Sequence, residues 1–249
     1  MQWIPGLVSI SFRPLSPEKI IEIAKAAGLR AIEWGGDVHV PFGDIETAHG
    51  VGEMTRSAGL SIPEYGSYYR VGLHDHEDFT KAATTARALG TDIIRVWAYN
   101  KNPDEIDEET YAVIVADAKK MCEEAPDLTI CLECHNNTLT SNYKSALKFL
   151  QDVGKENFKM FWQPNQFISH EENLEACRAL LPYIQRVHTF SWEGKEKFPL
   201  AHHAGRWAEY MAILAESKNA SMPLMLEFMH DGDPDTLPET AQTLLDWIK

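Results

Sequence analysis

Short apolar runs alternate along the whole chain with longer segments that carry an apolar stripe. Eight runs are almost continuously hydrophobic, which is typical of parallel strands covered on both faces. The predicted strands span residues 6–12, 31–36, 61–68, 92–98, 129–135, 158–164, 185–192 and 223–229. The longer segments between them repeat apolar residues at helical spacing. The pattern therefore predicts eight β–α units in succession.

Capping residues mark several helix ends. Ser16 and Pro17 form an N-cap and first-turn pair, and Gly28 marks the end of the first helix. Asp107 and Ser141 are predicted to cap the fourth and fifth helices. No linker or low-complexity segment interrupts this arrangement, which indicates one continuous domain.

Eight β–α units favour an α/β fold of the (β/α)8 TIM barrel class, with residues 1–249 as a single domain. The main alternative is an open, doubly wound sheet. That fold usually carries a glycine-rich phosphate turn after its first strand. Here the first predicted strand leads into SFRPLSPEK, which contains no glycine. We therefore expect the barrel.

Composition and charge narrow the class of partner. The net charge of −14 opposes binding to a phosphate backbone, so we expect no nucleic-acid partner. No stretch reaches the ~20 apolar residues of a membrane span, and the N-terminus lacks the basic start of a secretory signal.

Cys131 and Cys134 lie in one predicted strand and face opposite sides, which argues against a shared metal. We expect all four cysteines to be buried and reduced, in a cytoplasmic protein.

The working residues of a barrel lie at the carboxyl ends of its strands. At the predicted strand ends stand Glu33, Glu64, Tyr65, Arg95, Trp97, Glu133, His135, Gln163, His188 and Glu227. Glu133 and Glu227 directly follow the apolar runs ICL and LML, where an unpaired carboxylate is costly. Together with His188 they form a reasonable donor set for a divalent cation. The alternative is that each carboxylate pairs with an arginine or lysine.

Several segments resemble the xylose-isomerase-like superfamily of sugar phosphate isomerases and epimerases, which are metal-dependent barrels. The resemblance covers essentially the whole chain and is carried by AIEWGGDVHVPFGD (31–44), YGSYYR (65–70), IRVWA (94–98), LECH (132–135), VHTFSW (187–192) and LMLEFM (224–229). It implies that Glu133, His188 and Glu227 bind the metal and that the two glutamates are the catalytic carboxylates. It also implies a substrate pocket lined by Glu33, His39 and His135.

The sixth strand departs from the pattern of that superfamily. Its members commonly end this strand with an aspartate ligand, followed three residues later by a pocket histidine, and here these positions are Gln163 and Gln166. We include Gln163 among the metal ligands as a neutral oxygen donor, and Gln166 among the substrate-binding residues. Loss of a carboxylate leads us to expect weaker binding of the divalent ion, whether Mn²⁺, Mg²⁺, Co²⁺ or Zn²⁺.

The resemblance implies an isomerase or epimerase that transfers a proton next to the carbonyl of a sugar or sugar phosphate. One of Glu133 and Glu227 would remove the carbon-bound proton, and the ion would stabilise the enediolate that forms. Arg95 is a candidate to hold an anionic group of the substrate, and Trp97 to stack on a sugar face. The sequence leaves open whether the substrate is phosphorylated.

Other functions compete with this one. The chain also resembles dehydratases of the same superfamily. These enzymes eliminate water from inosose-like or dehydroshikimate-like compounds, and their reaction begins with the same proton removal. The amides at Gln163 and Gln166 agree equally with a sugar-binding protein that has neither metal nor catalysis. An apurinic endonuclease shares the fold by resemblance, but the acidic net charge argues against it. Barrels of this kind often form homo-oligomers, and the sequence leaves the oligomeric state open.

Overall fold

Eight parallel strands close into a barrel that eight helices surround, which confirms the predicted fold class. The computed structural model describes residues 1–249. The strands are β1 (Gln2–Val8), β2 (Ala31–Gly35), β3 (Tyr65–Val71), β4 (Ile93–Ala98), β5 (Thr129–Glu133), β6 (Phe158–Trp162), β7 (Ile184–Thr189) and β8 (Ser221–Leu226). Neighbours follow chain order, and β8 closes the barrel by pairing in parallel with β1.

The helices lie outside this barrel, one after each strand. They are α1 (Pro17–Ala26), α2 (Ile45–Ser57), α3 (His76–Leu89), α4 (Glu108–Glu124), α5 (Tyr143–Val153), α6 (His170–Leu180), α7 (Ala204–Leu214) and α8 (Leu237–Trp247). Between β7 and α7 a short hairpin pairs Trp192–Glu193 with Glu196–Lys197. No helix is both long enough and apolar enough to cross a membrane.

Two predicted helix caps are confirmed and one is wrong. The side chains of Ser16 and Asp107 each accept a hydrogen bond from the backbone N–H three residues later. Ser141 does not cap α5. Asn142 takes that position, and its side-chain oxygen accepts the N–H of Ser145 at 3.0 Å. Asparagine and serine serve equally well as N-caps. Because Ser141 and Asn142 are adjacent, the sequence alone defines the start of α5 only to within one residue.

The first strand lies earlier in the chain than predicted. It begins at Gln2 rather than residue 6, and it gives way at Ser9 to one 3-10 turn. Beyond the strand, serine side chains make the hydrogen bonds that the backbone makes within the sheet. The Ser9 hydroxyl accepts the N–H of Gly35, and the Ser11 hydroxyl accepts the N–H of Phe228, both at 2.9 Å. These bonds tie the segment after β1 to the ends of β2 and β8.

The third strand lies later than the predicted span 61–68. It begins after Pro63, because proline has no N–H to give to a ladder. Glu64 therefore stands at the amino end of β3 and not at the working end, where the sequence analysis placed it together with Tyr65. Its carboxylate instead accepts a hydrogen bond from Arg186 at 2.8 Å inside the barrel. Glu64 is thus paired with an arginine inside the barrel and lies away from the site.

Apolar side chains fill the middle of the barrel. They form two small clusters, one of Ile93, Cys131 and Phe161 and the other of Val8, Ile10, Ala31 and Met225. Alternate residues of a strand face the same side, so the residue two positions beyond each of these also points inward. Arg95, Glu133 and Glu227 occupy such positions. The interior therefore has an apolar layer in the middle, with these charged residues at the carboxyl ends of the strands and the Glu64–Arg186 pair at the amino ends.

The four cysteines are free thiols; Cys122, Cys131 and Cys177 are buried as predicted, whereas Cys134 is only half-buried. Desolvation raises the pKa of all four thiols to about 12. Because the thiolate is the nucleophile, we expect alkylation by iodoacetamide at about pH 8 to be slower in the folded protein than in urea by on the order of 100-fold. Mass spectrometry of timed samples measures this rate. One fast-reacting cysteine in the folded protein would contradict the burial described here.

Candidate active site

Glu133, His188 and Glu227 meet at the carboxyl end of the barrel. Glu133 is the last residue of β5, His188 lies in β7, and Glu227 directly follows β8. One ligand atom from each lies within 4.8 Å of the others, and all three side chains are buried. Three strands thus deliver two carboxylates and one imidazole to a single point, as the strand ends predicted.

Both ring nitrogens of His188 face carboxylates or amide oxygens. Nε2 lies 2.8 Å from Glu33 Oε2, and Nδ1 lies 2.8 Å from Gln163 Oε1. Nδ1 also lies 3.4 Å from Glu133 and 3.5 Å from Glu227. Burial alone would lower the pKa of His188, but the surrounding carboxylates outweigh it and raise that pKa well above its ordinary value. Both ring nitrogens thus face acceptors, an arrangement that favours the protonated ring when no ion is bound.

Glu133 is held in place by two donors. The guanidinium of Arg95 and the indole N–H of Trp97 both donate to its Oε2. Arg95 also donates through Nε to Glu33 at 2.9 Å, so one buried cation joins two carboxylates. Burial would raise the pKa of Glu133, but Arg95 and then His188 outweigh it and hold that pKa well below its usual range. Glu133 is consequently a fixed, ionised carboxylate.

Glu227 has a different environment. Its carboxylate accepts no hydrogen bond, and its nearest cation is His188 at 3.5 Å. Burial raises its pKa, His188 opposes this rise, and the negative charge of Glu133 adds to it. With 7% of its surface exposed, Glu227 forms part of the wall of the large cavity above the barrel. Of the two glutamates at the metal-ligand positions, Glu227 is therefore the one without a hydrogen-bond donor.

The donor set fits a divalent cation. Two carboxylate oxygens and one imidazole nitrogen suit Mn²⁺, Co²⁺ or Zn²⁺, and the far nitrogen of His188 donates to Glu33, an arrangement that commonly orients metal-bound histidines. If Glu33, Glu133 and Glu227 are all ionised, their three negative charges exceed the positive charges of Arg95 and protonated His188 by one. Replacing the proton on His188 by a divalent ion makes the cluster neutral.

Gln163 stands beside this donor set. Its Oε1 accepts from His188 Nδ1, and its Nε2 donates to the backbone carbonyl of Cys134 at 2.9 Å. The amide is thereby oriented with its oxygen toward the ligand nitrogen of His188. This orientation agrees with the prediction that Gln163 contributes a neutral oxygen, and the role itself stays a prediction.

A carboxylate at this position should bind the ion more tightly. We expect Gln163→Glu, which keeps the length of the side chain, to strengthen Mn²⁺ binding by about tenfold or more, because the negative charge added at a hard-cation site outweighs the lost hydrogen bond to the Cys134 carbonyl. Titration of the metal-free protein by isothermal calorimetry measures the affinity. Gln151→Glu, an exposed change on α5, is the control for net charge alone. Equal affinities in the two variants would show that Gln163 does not face the ion.

A cavity of about 600 Å³ opens above these residues. Seven residues of the predicted site line it, namely Arg95, Trp97, Glu133, His135, Gln163, Gln166 and Glu227. Glu33 does not line it, because its carboxylate is fully buried beneath His188 and Arg95. His39 does not line it either: its ring bonds to the Ser9 hydroxyl and the Leu15 carbonyl, and burial lowers its pKa. The structure therefore gives both residues supporting positions.

Phe228 lines the cavity although the sequence analysis did not select it. Regular strand alternation would place Met229 on the inward side with Glu227, but the backbone of Phe228 adopts a φ of 53° and Met229 packs in the main hydrophobic core. Tyr68 on the opposite wall has a φ of 60°. A bulky residue rarely adopts this conformation, so no sequence pattern signals it. Both aromatic side chains are held at the site by a strained backbone.

Comparison with known proteins agrees with the barrel fold. A family model described as "Xylose isomerase-like TIM barrel" matches residues 21–249. The chain belongs to this family. Within the xylose isomerase-like TIM barrels, a curated 3-dehydroshikimate dehydratase from Bacillus anthracis is 26% identical over 202 residues, which cover 74% of this chain and 70% of the relative.

Solved structures show the shared fold. The probable 3-DHS dehydratase of Bacillus anthracis, involved in petrobactin synthesis, matches with a TM-score of 0.80 and 21% identity, covering 98% of this chain and 99% of that one. D-psicose 3-epimerase with D-tagatose, from Clostridium cellulolyticum H10, matches with a TM-score of 0.73 and 16% identity, covering 98% and 97%. The named relatives of this xylose isomerase-like chain are thus enzymes of two reaction types.

Proposed function

We propose that the protein is a divalent-metal-dependent isomerase that transfers a proton next to the carbonyl of a polyhydroxylated ketone. The observation that carries this proposal is the difference between the two facing carboxylates. Glu133 is fixed by two donors, whereas Glu227 accepts no hydrogen bond and reaches the cavity. Such a pair supplies one ligand that is fixed in place and a second that can also serve as the base.

Each group has a part in this reaction. When bound to Glu133, His188 and Glu227, a divalent cation would supply Lewis-acid polarisation of the substrate carbonyl. Glu227 takes the proton from the neighbouring carbon, because its carboxylate is the one without a competing donor. Arg95 and Trp97 keep Glu133 from rotating toward the substrate. The aromatic walls at Tyr68 and Phe228 restrict water beside the reacting carbon.

The same asymmetry favours isomerisation over epimerisation. Epimerisation from opposite faces needs two carboxylates that both exchange protons, and Glu133 is tied to a guanidinium that keeps it ionised. Return of the proton by Glu227 to the adjacent carbon needs only one base at carbon, while the hydroxyl proton passes between the two neighbouring oxygens of the enediol. This supports a one-base transfer along one face of the substrate.

Exchange with heavy water tests the proposal directly. Metal-free protein is loaded in turn with Mn²⁺, Co²⁺, Mg²⁺ or Zn²⁺ and incubated in D₂O with a panel of ketoses and keto-polyols. We expect NMR to show deuterium entering next to the carbonyl of at least one compound, together with the isomeric product. Absence of exchange from every combination, with the metal shown to be bound, would leave a binding protein as the better description.

A dehydratase is the second candidate, because the curated relative with 26% identity carries that name. Elimination of water also begins with one base removing a proton next to a carbonyl, so Glu227 would serve it equally well. Incubation with dehydroshikimate or an inosose separates the two reactions. A new ultraviolet chromophore and the loss of one water from the product favour elimination, whereas unchanged mass with deuterium exchange favours isomerisation.

A further inference from the structure

The cavity extends well beyond the mouth of the barrel. Its inner half lies over Glu133 and Glu227, and its outer half passes between the loops after β5 and β6 to the first turns of α5 and α6. We call this outer half the distal half; Asn136, Ser141 and Gln166 line it, with Ala176 on α6 as part of its wall. At about 600 Å³ the whole cavity matches those that hold drug-sized ligands, which are much larger than one ketohexose.

The distal half carries polar side chains that have no partner in the protein. Asn136, Ser141 and Gln166 use their backbone groups in hydrogen bonds, but their side-chain amides and hydroxyl form none. Each of these groups can both donate and accept. Sugar hydroxyls also donate and accept, so they complement such a surface better than a purely anionic or apolar group does.

The loop that carries Gln166 is held in place before any ligand binds. The side chain of Asn173 accepts the N–H of Asn165 at 2.7 Å and donates to its carbonyl at 2.9 Å, which fixes the loop on α6. On its other side, the carbonyl of Gln166 accepts the N–H of Gly194 in the hairpin at 2.8 Å. A wall that is already ordered loses little conformational freedom on binding.

The charges of the cavity disfavour a phosphate. Arg95 is buried between Glu33 and Glu133, and Arg13 at the opposite rim pairs with Asp37 at 2.9 Å. Lys144 is the lining cation without a carboxylate partner, and it is solvent-exposed. The distal half also contains the carboxylates of Glu172 and Glu175. A bidentate arginine site of the kind that recognises phosphate is therefore missing from this wall.

From these features we infer that the distal half is a subsite for a second, uncharged sugar ring, so that the substrate is a neutral ketose carrying a glycosyl group rather than a free or phosphorylated monosaccharide. This inference rests on the proposed function for the identity of the reacting ketose. The subsite itself rests on the size, polarity and charge of the distal half.

Binding of matched sugars tests the subsite. Isothermal calorimetry with Mn²⁺-loaded protein compares isomaltulose, which is a glucosyl ketohexose, with D-fructose and D-fructose 6-phosphate. We expect isomaltulose to bind about tenfold or more tightly than D-fructose, and the phosphate to add nothing. In Asn136→Ala and Gln166→Ala, the ratio of the two affinities should fall toward one. Gln151→Ala, exposed on α5, should leave that ratio unchanged.

The outcomes separate the subsite from the reaction. Equal binding of isomaltulose and D-fructose, no binding of either sugar, or tighter binding of the phosphate would each overturn the subsite. If D-fructose exchanges deuterium while the affinity ratio is one, the reaction stands and the subsite fails. If isomaltulose binds more tightly and the variants abolish that preference, the subsite stands even where no compound exchanges deuterium.

Discussion

Glu227→Gln is expected to lower turnover by about 10²–10⁴-fold, because a positioned general base contributes a factor of this size. The amide keeps the shape of the side chain and can still offer one oxygen to an ion, but it cannot take a proton. Because the wild-type carboxylate accepts no hydrogen bond, its replacement leaves no donor unsatisfied, and stability should change little. Deuterium exchange into the substrate at saturating metal, with a thermal melt, measures both effects.

Two further variants complete this test. Glu216→Gln, an exposed change after α7, is the matched control and should keep wild-type turnover. Glu133→Gln removes the negative charge that is paired with the buried Arg95, so it should weaken metal binding and stability as well as turnover. Turnover of Glu227→Gln within about threefold of the wild type would show that Glu227 is not the base.

The fold could be predicted because its signals repeat. Eight apolar runs separated by amphipathic helices leave few alternatives, and the same pattern fixed the inward side of β5 and β8 well enough to find Glu133 and Glu227. Errors arose where one residue decides a boundary. Pro63 delays β3 and so removes Glu64 from the working end, while serine side chains end β1 early.

The site could be predicted only in part. Strand alternation predicts that Glu133, His188 and Glu227 face the inside of the barrel. It does not predict how far along the barrel axis each side chain lies. Glu33 and His39 share a motif with pocket residues, yet one lies beneath the cavity and the other bonds to Ser9. Which carboxylate is fixed and which is free depends on Arg95 and Trp97 from β4, and such tertiary contacts have no local signature.

Glu33→Gln is expected to weaken Mn²⁺ binding by about 10–100-fold although Glu33 touches neither the cavity nor a ligand position. Its two oxygens accept separate donors, His188 Nε2 at 2.8 Å and Arg95 Nε at 2.9 Å. A glutamine has only one oxygen, so one of these donors must lose its partner in a fully buried setting, at a cost of about 1–3 kcal/mol. His188 then loses the contact that fixes its tautomer and the direction of Nδ1.

Glu64→Gln is the matched control for this prediction, since Glu64 is a second buried carboxylate of the barrel interior, paired with Arg186 at its other end. Both variants should lower the free energy of unfolding in urea, but only Glu33→Gln should lower the Mn²⁺ affinity. If the two variants bind Mn²⁺ equally well, the orientation of His188 does not depend on Glu33. If only Glu33→Gln loses affinity, the carboxylate beneath the site has the supporting role that its contacts indicate.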